Sequence, residues 1–295
     1  MVGLREPFPA DHAFLPKDTF KDDVIFITGG GTGLGKSFAA MFARMGGRVV
    51  IASRNEPHRA AGVAAVEAVG GKAIGVTVDV RHPDQIEAAF DQAERELGPV
   101  TILINNAAGR FMAPAEDTSP NGWRAVTQIV LDGAFFCSKE LHRRCVARAR
   151  GGAILNIGAT YAWTGGPGSA HSAAAKAGVD SLTQTLAVEW AVDDVRINTL
   201  APGLFPHEDR ANHMKGAWED DRSRQMPAMR VGRMQELAWT AAFLCSPFAS
   251  YVTGHVMVCD GGNWLRRHAS GATDFVPVRE WAREKLGERY QPSGA

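Results

Sequence analysis

Seven short apolar runs, rich in Val and Ile, recur along the chain without alternating with polar residues. They fall at 24–28, 49–52, 73–78, 101–105, 153–157, 196–200 and 256–259. Near-continuous apolar runs of this length read as strands buried on both faces of a parallel sheet. Segments with helical periodicity lie between them, most clearly at 33–44, 83–97, 170–190 and 236–244. Strand–helix–strand repetition demands right-handed crossovers and covers both sheet faces with helices. The expected fold class is therefore α/β: a single-domain Rossmann fold with a doubly wound parallel sheet of about seven strands. Residues 21–265 carry this pattern. An N-terminal arm, 1–20, precedes it, and a C-terminal extension, 266–295, with one expected helix at 278–286, follows. Residues 203–232 break the rhythm and read as a long binding loop.

Composition excludes several alternatives. The 32 Lys and Arg residues balance 32 Asp and Glu, so no basic stripe for nucleic acid is expected, and any anionic ligand must be held by local groups. No apolar run is long enough to span a membrane. Cys137, Cys145, Cys245 and Cys259 lack CxxC spacing and have no His cluster beside them, so no metal site is expected and reduced cytoplasmic thiols are. The N-terminus shows neither signal-peptide nor transit-peptide character.

The first run ends in Thr28-Gly29-Gly30-Gly31-Thr32-Gly33-Leu34-Gly35, and a helix follows. Glycines there permit a tight turn and let a pyrophosphate reach the backbone, while the helix N-terminus offers free N–H groups. The context between first strand and first helix is what a dinucleotide site requires. An NAD site usually carries an Asp or Glu about 20 residues on, bonding the ribose 2′-OH. Here Ser53 and Arg54 stand at that strand end, a hydroxyl and a guanidinium that suit the 2′-phosphate of NADPH; a solvated surface charge is the plainer reading of Arg54. Asp79 and Val80 at the third strand's end are expected at the adenine, and Asn106, Ala107 and Ala108 at the fourth strand's end along the ribose.

With TGGGTGLG, NNAAG, Lys176 in a long helix, and Pro202 and Gly203 after the sixth strand, the chain resembles the short-chain dehydrogenase/reductases over residues 20–265. The resemblance implies that Pro202 and Gly203 join the cofactor site, as does Lys176, and that the assembly is a homotetramer. Standard members of that family use Asn, Ser, Tyr and Lys. Lys176 survives here, but the other three positions read Val130, Ala159 and Ser172. A ketone reductase needs an acid to protonate the alkoxide, and a serine hydroxyl is a poor one.

The segments IVLDGAFFCSKE, GATYAWTGGPG, HSAAAKAGV and LAVEWA are similar to the 2,4-dienoyl-CoA reductase branch of the family. That branch carries its tyrosine upstream of the helix, which corresponds to Tyr161. Its lysine corresponds to Lys176 and its helix serine to Ser172. Asp132 stands where the branch has asparagine, a departure, since an ionised carboxylate has no proton to give; the open readings are a carboxyl kept protonated by burial, one that orients Tyr161 or a water, and one that only shapes its helix. The resemblance implies an acyl-CoA thioester partner, hydride delivery to the distal alkene carbon, a dienolate steadied by Tyr161, and an enoyl-CoA product in β-oxidation of unsaturated fatty acids. Arg110 and Phe111 are expected to face CoA and thioester. Met214, Trp218, Met226 and Met229 in the long loop suit a variable acyl chain, or ordinary packing of the loop on the body. Two other readings stand beside this one: a 3-oxoacyl or other ketone reductase with Tyr161 recruited as acid, and a non-catalytic NADPH-binding protein.

Overall fold

A computed structural model describes residues 4–12, 14–207, 226–266 and Glu284. Met214, Trp218 and the expected helix at 278–286 lie outside the described residues, apart from Glu284. Strands β1 (Val24–Thr28), β2 (Arg48–Ala52), β3 (Lys72–Val76), β4 (Ile102–Asn105), β5 (Gly152–Ile157), β6 (Val195–Pro202) and β7 (Val256–Cys259) form one parallel sheet in the order β3-β2-β1-β4-β5-β6-β7. The crossovers carry α1 (Gly33–Arg44), α2 (Glu56–Glu67), α3 (Pro83–Leu97), α4 (Pro120–Thr127), α5 (Gly133–Arg148), the one-turn α6 (Tyr161–Thr164), α7 (Ala170–Trp190) and α8 (Met234–Cys245). The expected strands are present. β3 ends two residues early, at Val76, although the Val78 N–H still donates to the Ser53 carbonyl at 3.4 Å.

Successive side chains of a strand point to opposite faces, so one strand feeds two cores. On β1, Ile25 and Ile27 join Phe38 and Phe42 of α1 and Leu237 and Ala241 of α8. Val24 and Phe26 join Ile86 and Phe90 of α3 and Leu141 of α5 on the other face. All five β1 residues are buried. This is why the runs do not alternate with polar residues in the sequence: neither face meets water. Phe26 and Phe90 stack at 4.3 Å between centroids, pinning α3 onto the sheet. The same face seats Arg144 of α5, whose guanidinium reaches Asp91 at 2.6 Å, Glu94 at 2.9 Å and Glu140 at 2.6 Å. Three carboxylates compensate one nearly buried cation and tie α5 to α3.

The arm is not idle. Leu4 N donates to Ala228 O at 3.0 Å, the Arg230 guanidinium donates to the Leu4 and Arg5 carbonyls, and Arg233 pairs with Glu6 at 3.0 Å. Arg230 also forms a two-pronged pair with Glu236 at 2.7 and 2.8 Å. Residues 4–6 thus strap the C-terminal base of the long loop to the start of α8. Among the described residues, no helix is long and apolar enough to cross a membrane, and no group of His, Cys, Asp and Glu is disposed to hold a metal ion. All four cysteines are free, and burial pushes the Cys137 and Cys245 thiols up to about 12.

Phe90 is fully buried between sheet and helix. Phe90→Ala should cost about 3–5 kcal/mol of unfolding free energy in denaturant titration, the range for aromatic truncation in a packed core. A cost below 1 kcal/mol would show that the α3 contact does not bear on stability.

Candidate active site

A cavity of about 720 Å³ opens at the C-terminal edge of the sheet, on the side of β1 and β4. That volume is within the usual range for small-molecule and cofactor sites. The strand order reverses between β1 and β4, so the crossovers depart to opposite faces and leave a crevice there.

The floor of the crevice is set by the glycine turn. Thr28 Oγ1 accepts from the Asn106 and Ala107 backbone N–H groups, each at 3.0 Å, and the Asn106 amide donates to the Thr28 and Gly29 carbonyls, also at 3.0 Å. These bonds clamp the end of β4 to the end of β1. Gly29 has φ +64°, a left-handed conformation that glycine adopts without strain. Gly29, Thr32, Gly33 and Leu34 line the cavity. Gly31 and Gly35 do not, and their lack of a side chain serves close packing. A Cβ on Gly31 would sit 1.9 Å from the His58 carbonyl oxygen, and one on Gly35 would sit 2.3 Å from the Gly29 oxygen. Thr32 is the N-cap of α1, yet its side chain makes no capping bond. The first N–H groups of a twelve-residue helix are therefore open towards the cavity, the arrangement that takes a phosphate.

At the far end, Ser53, Arg54, Asn55 and His58 line the wall. Arg54 is largely exposed and leans towards Asp79, Nη1 to Oδ2 at 3.4 Å. Asp79 is gripped more closely by Arg81, whose guanidinium reaches Oδ2 at 2.5 Å and Oδ1 at 3.0 Å. That bonding holds the Asp79 carboxyl well below the usual carboxylate range, with partial burial opposing it. Both oxygens are already engaged, so Asp79 is an ionised, oriented acceptor. Val80, Ala107 and Ala108 line the middle, and Pro202 and Gly203 close the end of β6. This set fits a dinucleotide: open N–H groups for the pyrophosphate and a cation-bearing wall without an acid at the second strand's end.

The polar residues on the opposite wall come from α6 and α7. Tyr161 opens α6, and its hydroxyl lies 3.0 Å from Ser172 Oγ on α7. Lys176, one turn further along α7, is buried and donates to the Ile157 carbonyl at the end of β5. Burial lowers its ammonium to about 8, opposed by the negative charge of Asp180. Tyr161, Ser172 and Lys176 all line the cavity, so the structure brings these three expected residues together. Ala159 also lines it, and a methyl group there leaves room for substrate.

Other expected residues stand apart. Asp132 is half-buried at the junction of a π-helical turn (Gln128–Asp132) with α5 and does not line the cavity. Ile129, from the same turn, does. Arg110 lines the cavity, whereas Phe111 packs edge-on against His171 at 4.2 Å between centroids, away from it. Of the loop methionines within the described residues, Met226 is buried near Phe205 beside a smaller cavity of about 280 Å³, and Met229 adopts φ +54° in the turn that follows. Sequence reasoning missed His58, Phe205, Ile129 and the Arg81 grip. A short π turn has no distinct periodicity, but His58 sits one residue after Pro57 at the start of a capped helix, a signal that could have been followed.

The comparisons with known proteins agree with this geometry. A family model described as enoyl-(acyl carrier protein) reductase matches residues 29–263. A probable 2,4-dienoyl-CoA reductase of Bacillus subtilis (strain 168), named as producing a (2E)-enoyl-CoA, is 40% identical over 247 residues, covering 82% of this chain and 96% of its own. A peroxisomal 2,4-dienoyl-CoA reductase of Pongo abelii, named as producing a (3E)-enoyl-CoA, is 41% identical over 270 residues, covering 90% of this chain and 92% of its own. The crystal structure of a short chain dehydrogenase from Bacillus anthracis str. 'Ames Ancestor' superposes with a TM-score of 0.77 at 42% identity, covering 84% of this chain and 99% of that one.

The contact of Gly31 with α2 yields a test. Gly31→Ala should lower stability by about 1–3 kcal/mol, the usual penalty for overpacking, and weaken dinucleotide binding by shifting the turn. Thermal unfolding with and without cofactor reads both, and an unchanged melting temperature would show that α2 can retreat at no cost.

Proposed function

This chain belongs to the short-chain dehydrogenase/reductases, and on that premise we propose that it uses NADPH to reduce a 2,4-dienoyl-CoA to an enoyl-CoA. The observation that carries the reading is the Tyr161 hydroxyl, 3.0 Å from Ser172 Oγ and on the same cavity wall as buried Lys176. A phenol from α6 compensates for the loss of one on α7.

The bound nicotinamide supplies the hydride for the distal alkene carbon. Negative charge then accumulates on the thioester oxygen, five bonds away, and the chain's task is to steady it. Tyr161 donates to that oxygen, and Ser172 fixes the direction of the phenol. Lys176 holds the ribose hydroxyls, and its buried positive charge favours an anion nearby. Removing one preorganised donor of this kind typically costs about 2.7–4 kcal/mol of transition-state stabilisation. Protonation at carbon follows from water, and Asp132, which does not line the cavity, is assigned the orienting of that water.

Preference for NADPH over NADH rests on Ser53, Arg54 and His58, which offer a hydroxyl, a guanidinium and an imidazole at the wall where an acid would bind a free 2′-hydroxyl. Relatives of similar identity are named for (2E) and (3E) products, so the proposal stops at the enoyl-CoA. β-Oxidation of unsaturated fatty acids is the proposed setting and the cytoplasm the proposed compartment, although several relatives are named peroxisomal. A homotetramer is the proposed assembly, supported by exposed Phe135 on α5 and Val188 on α7, with Val192 just beyond it.

NADPH absorbance should fall on addition of 2,4-decadienoyl-CoA and not of a 3-oxoacyl-CoA, with the product identified by mass spectrometry; the reverse pattern would make the enzyme a ketone reductase. Tyr161→Phe should lower turnover at least tenfold with NADPH affinity unchanged. Unaltered turnover would remove the phenol from the mechanism. Arg54→Ala should weaken NADPH more than NADH in fluorescence titrations, and equal losses would refute the assignment to the 2′-phosphate.

A further inference from the structure

A helix lying on a sheet normally buries an apolar stripe. α7 buries a partly polar one. Ser172, Lys176, Asp180 and Thr183 follow one another at spacings of four, four and three, which places them on one face. Ser172, Lys176 and Thr183 are each at least nine-tenths buried. Ser172 is engaged by Tyr161, and Lys176 by the Ile157 carbonyl. Thr183 Oγ1 accepts from the Asn156 amide at 2.8 Å, lies 2.8 Å from Thr199 Oγ1, and is 2.8 Å from the Val179 carbonyl. Asp180 is the member for which the catalytic reading has no use. Its Oδ1 is shut off from solvent without a hydrogen-bond partner, and the Thr199 hydroxyl reaches its carboxyl.

Charge explains the placement. Asp180 follows Lys176 by one turn of α7 on the same face, and the charge of each opposes the effect of burial on the other. Tyr161 of α6, Ser172 of α7 and the Ile157 carbonyl of β5 line the cavity together with Lys176. A lone buried ammonium tends to shed its proton, and a carboxylate one helical turn away opposes that. The hydroxyls beside Asp180 can serve either of its charge states. With Asp180 ionised, Thr199 donates to it and Thr183 donates to Thr199. With Asp180 protonated, it donates to Thr199, Thr199 to Thr183, and Thr183 to the Val179 carbonyl. Both directions leave each hydroxyl with an acceptor, and the Asn156 amide donates into Thr183 in both.

We propose that Asp180 is a positioning residue that keeps Lys176 a cation in its buried seat, so that the lysine can hold the cofactor ribose and favour charge at the substrate oxygen. The role rests on the part given to Lys176 in the proposed reaction. Burial raises Asp180 to about 6 and lowers Lys176 to about 8, so the two are charged together between those values.

The test uses protein labelled with ¹³C at lysine Cε, with the Lys176 resonance identified by its loss in Lys176→Met. In the wild type it should titrate near pH 8, with a smaller inflection near pH 6 as Asp180 takes up its proton. In Asp180→Asn the small inflection should vanish and the main midpoint fall by about one pH unit. Asp180→Glu should restore both. The alkaline limb of dienoyl-CoA turnover should move with the Lys176 midpoint. A wild-type resonance without the lower inflection, an unmoved midpoint in Asp180→Asn, or the same fall in Asp180→Glu would overturn the proposal. Should Asp180→Asn not fold, Thr199→Val decides, because loss of the hydroxyl should drive the small inflection upward and an unmoved inflection would refute the pairing. If the wild type leaves dienoyl-CoA unreduced, the substrate assignment fails while the lysine titration still tests the pair.

Discussion

The molecule is organised by the reversal of strand order between β1 and β4. Crossovers that depart to opposite faces cannot cover the gap between these two strand ends, so a crevice is obligatory there. It is kept in shape by few bonds, chiefly the Thr28 hydroxyl taking two N–H groups from the end of β4 and the Asn106 amide returning to the Thr28 and Gly29 carbonyls. The cofactor wall, the phenol wall and the mouth towards the long loop are all placed relative to that clamp.

The catalytic wall shows how a fold tolerates the loss of a principal residue. α7 continues to deliver a lysine to the cavity, since Lys176 is anchored on the carbonyl at the end of β5. Ser172 stands where standard members of the family carry tyrosine, and a one-turn helix from the β5–α7 connection brings the Tyr161 hydroxyl to 3.0 Å from it. In the proposed reaction charge gathers on a thioester oxygen, and the phenol delivered by α6 is the donor assigned to it.

Much of this was legible in the amino-acid sequence, for physical reasons that differ by residue. Unbroken apolar runs made all seven strands recognisable, although the edge strands β3 and β7 are not buried on both faces, and the glycine turn identified itself by its place between β1 and α1. Tyr161, Ser172 and Lys176 were found by spacing and resemblance and do converge. What escaped was set by packing rather than pattern. Gly31 and Gly35 looked like phosphate-approach glycines, yet their missing Cβ atoms make room for His58 and for the turn itself. Phe111 looked like a substrate contact but is drawn to His171 by an edge-on ring contact. Asp132 ends a π-helical turn whose Ile129, and not Asp132, lines the cavity. Arg81 gave no hint of its grip on Asp79, since a two-residue loop contact has no periodicity.

The strap formed by residues 4–6 has a consequence for how substrate scope can drift in such a chain. The stretch that leads into α8 is moored, through Arg230 and Arg233, to a peptide more than 220 positions upstream. The mooring uses backbone carbonyls and one carboxylate, so most side chains of the leader are free to vary while its main chain remains an architectural part. Leu4 and Arg230 line the smaller cavity together with Phe205, which also borders the larger one, so a change near the start of the polypeptide alters the surroundings of a residue at the site.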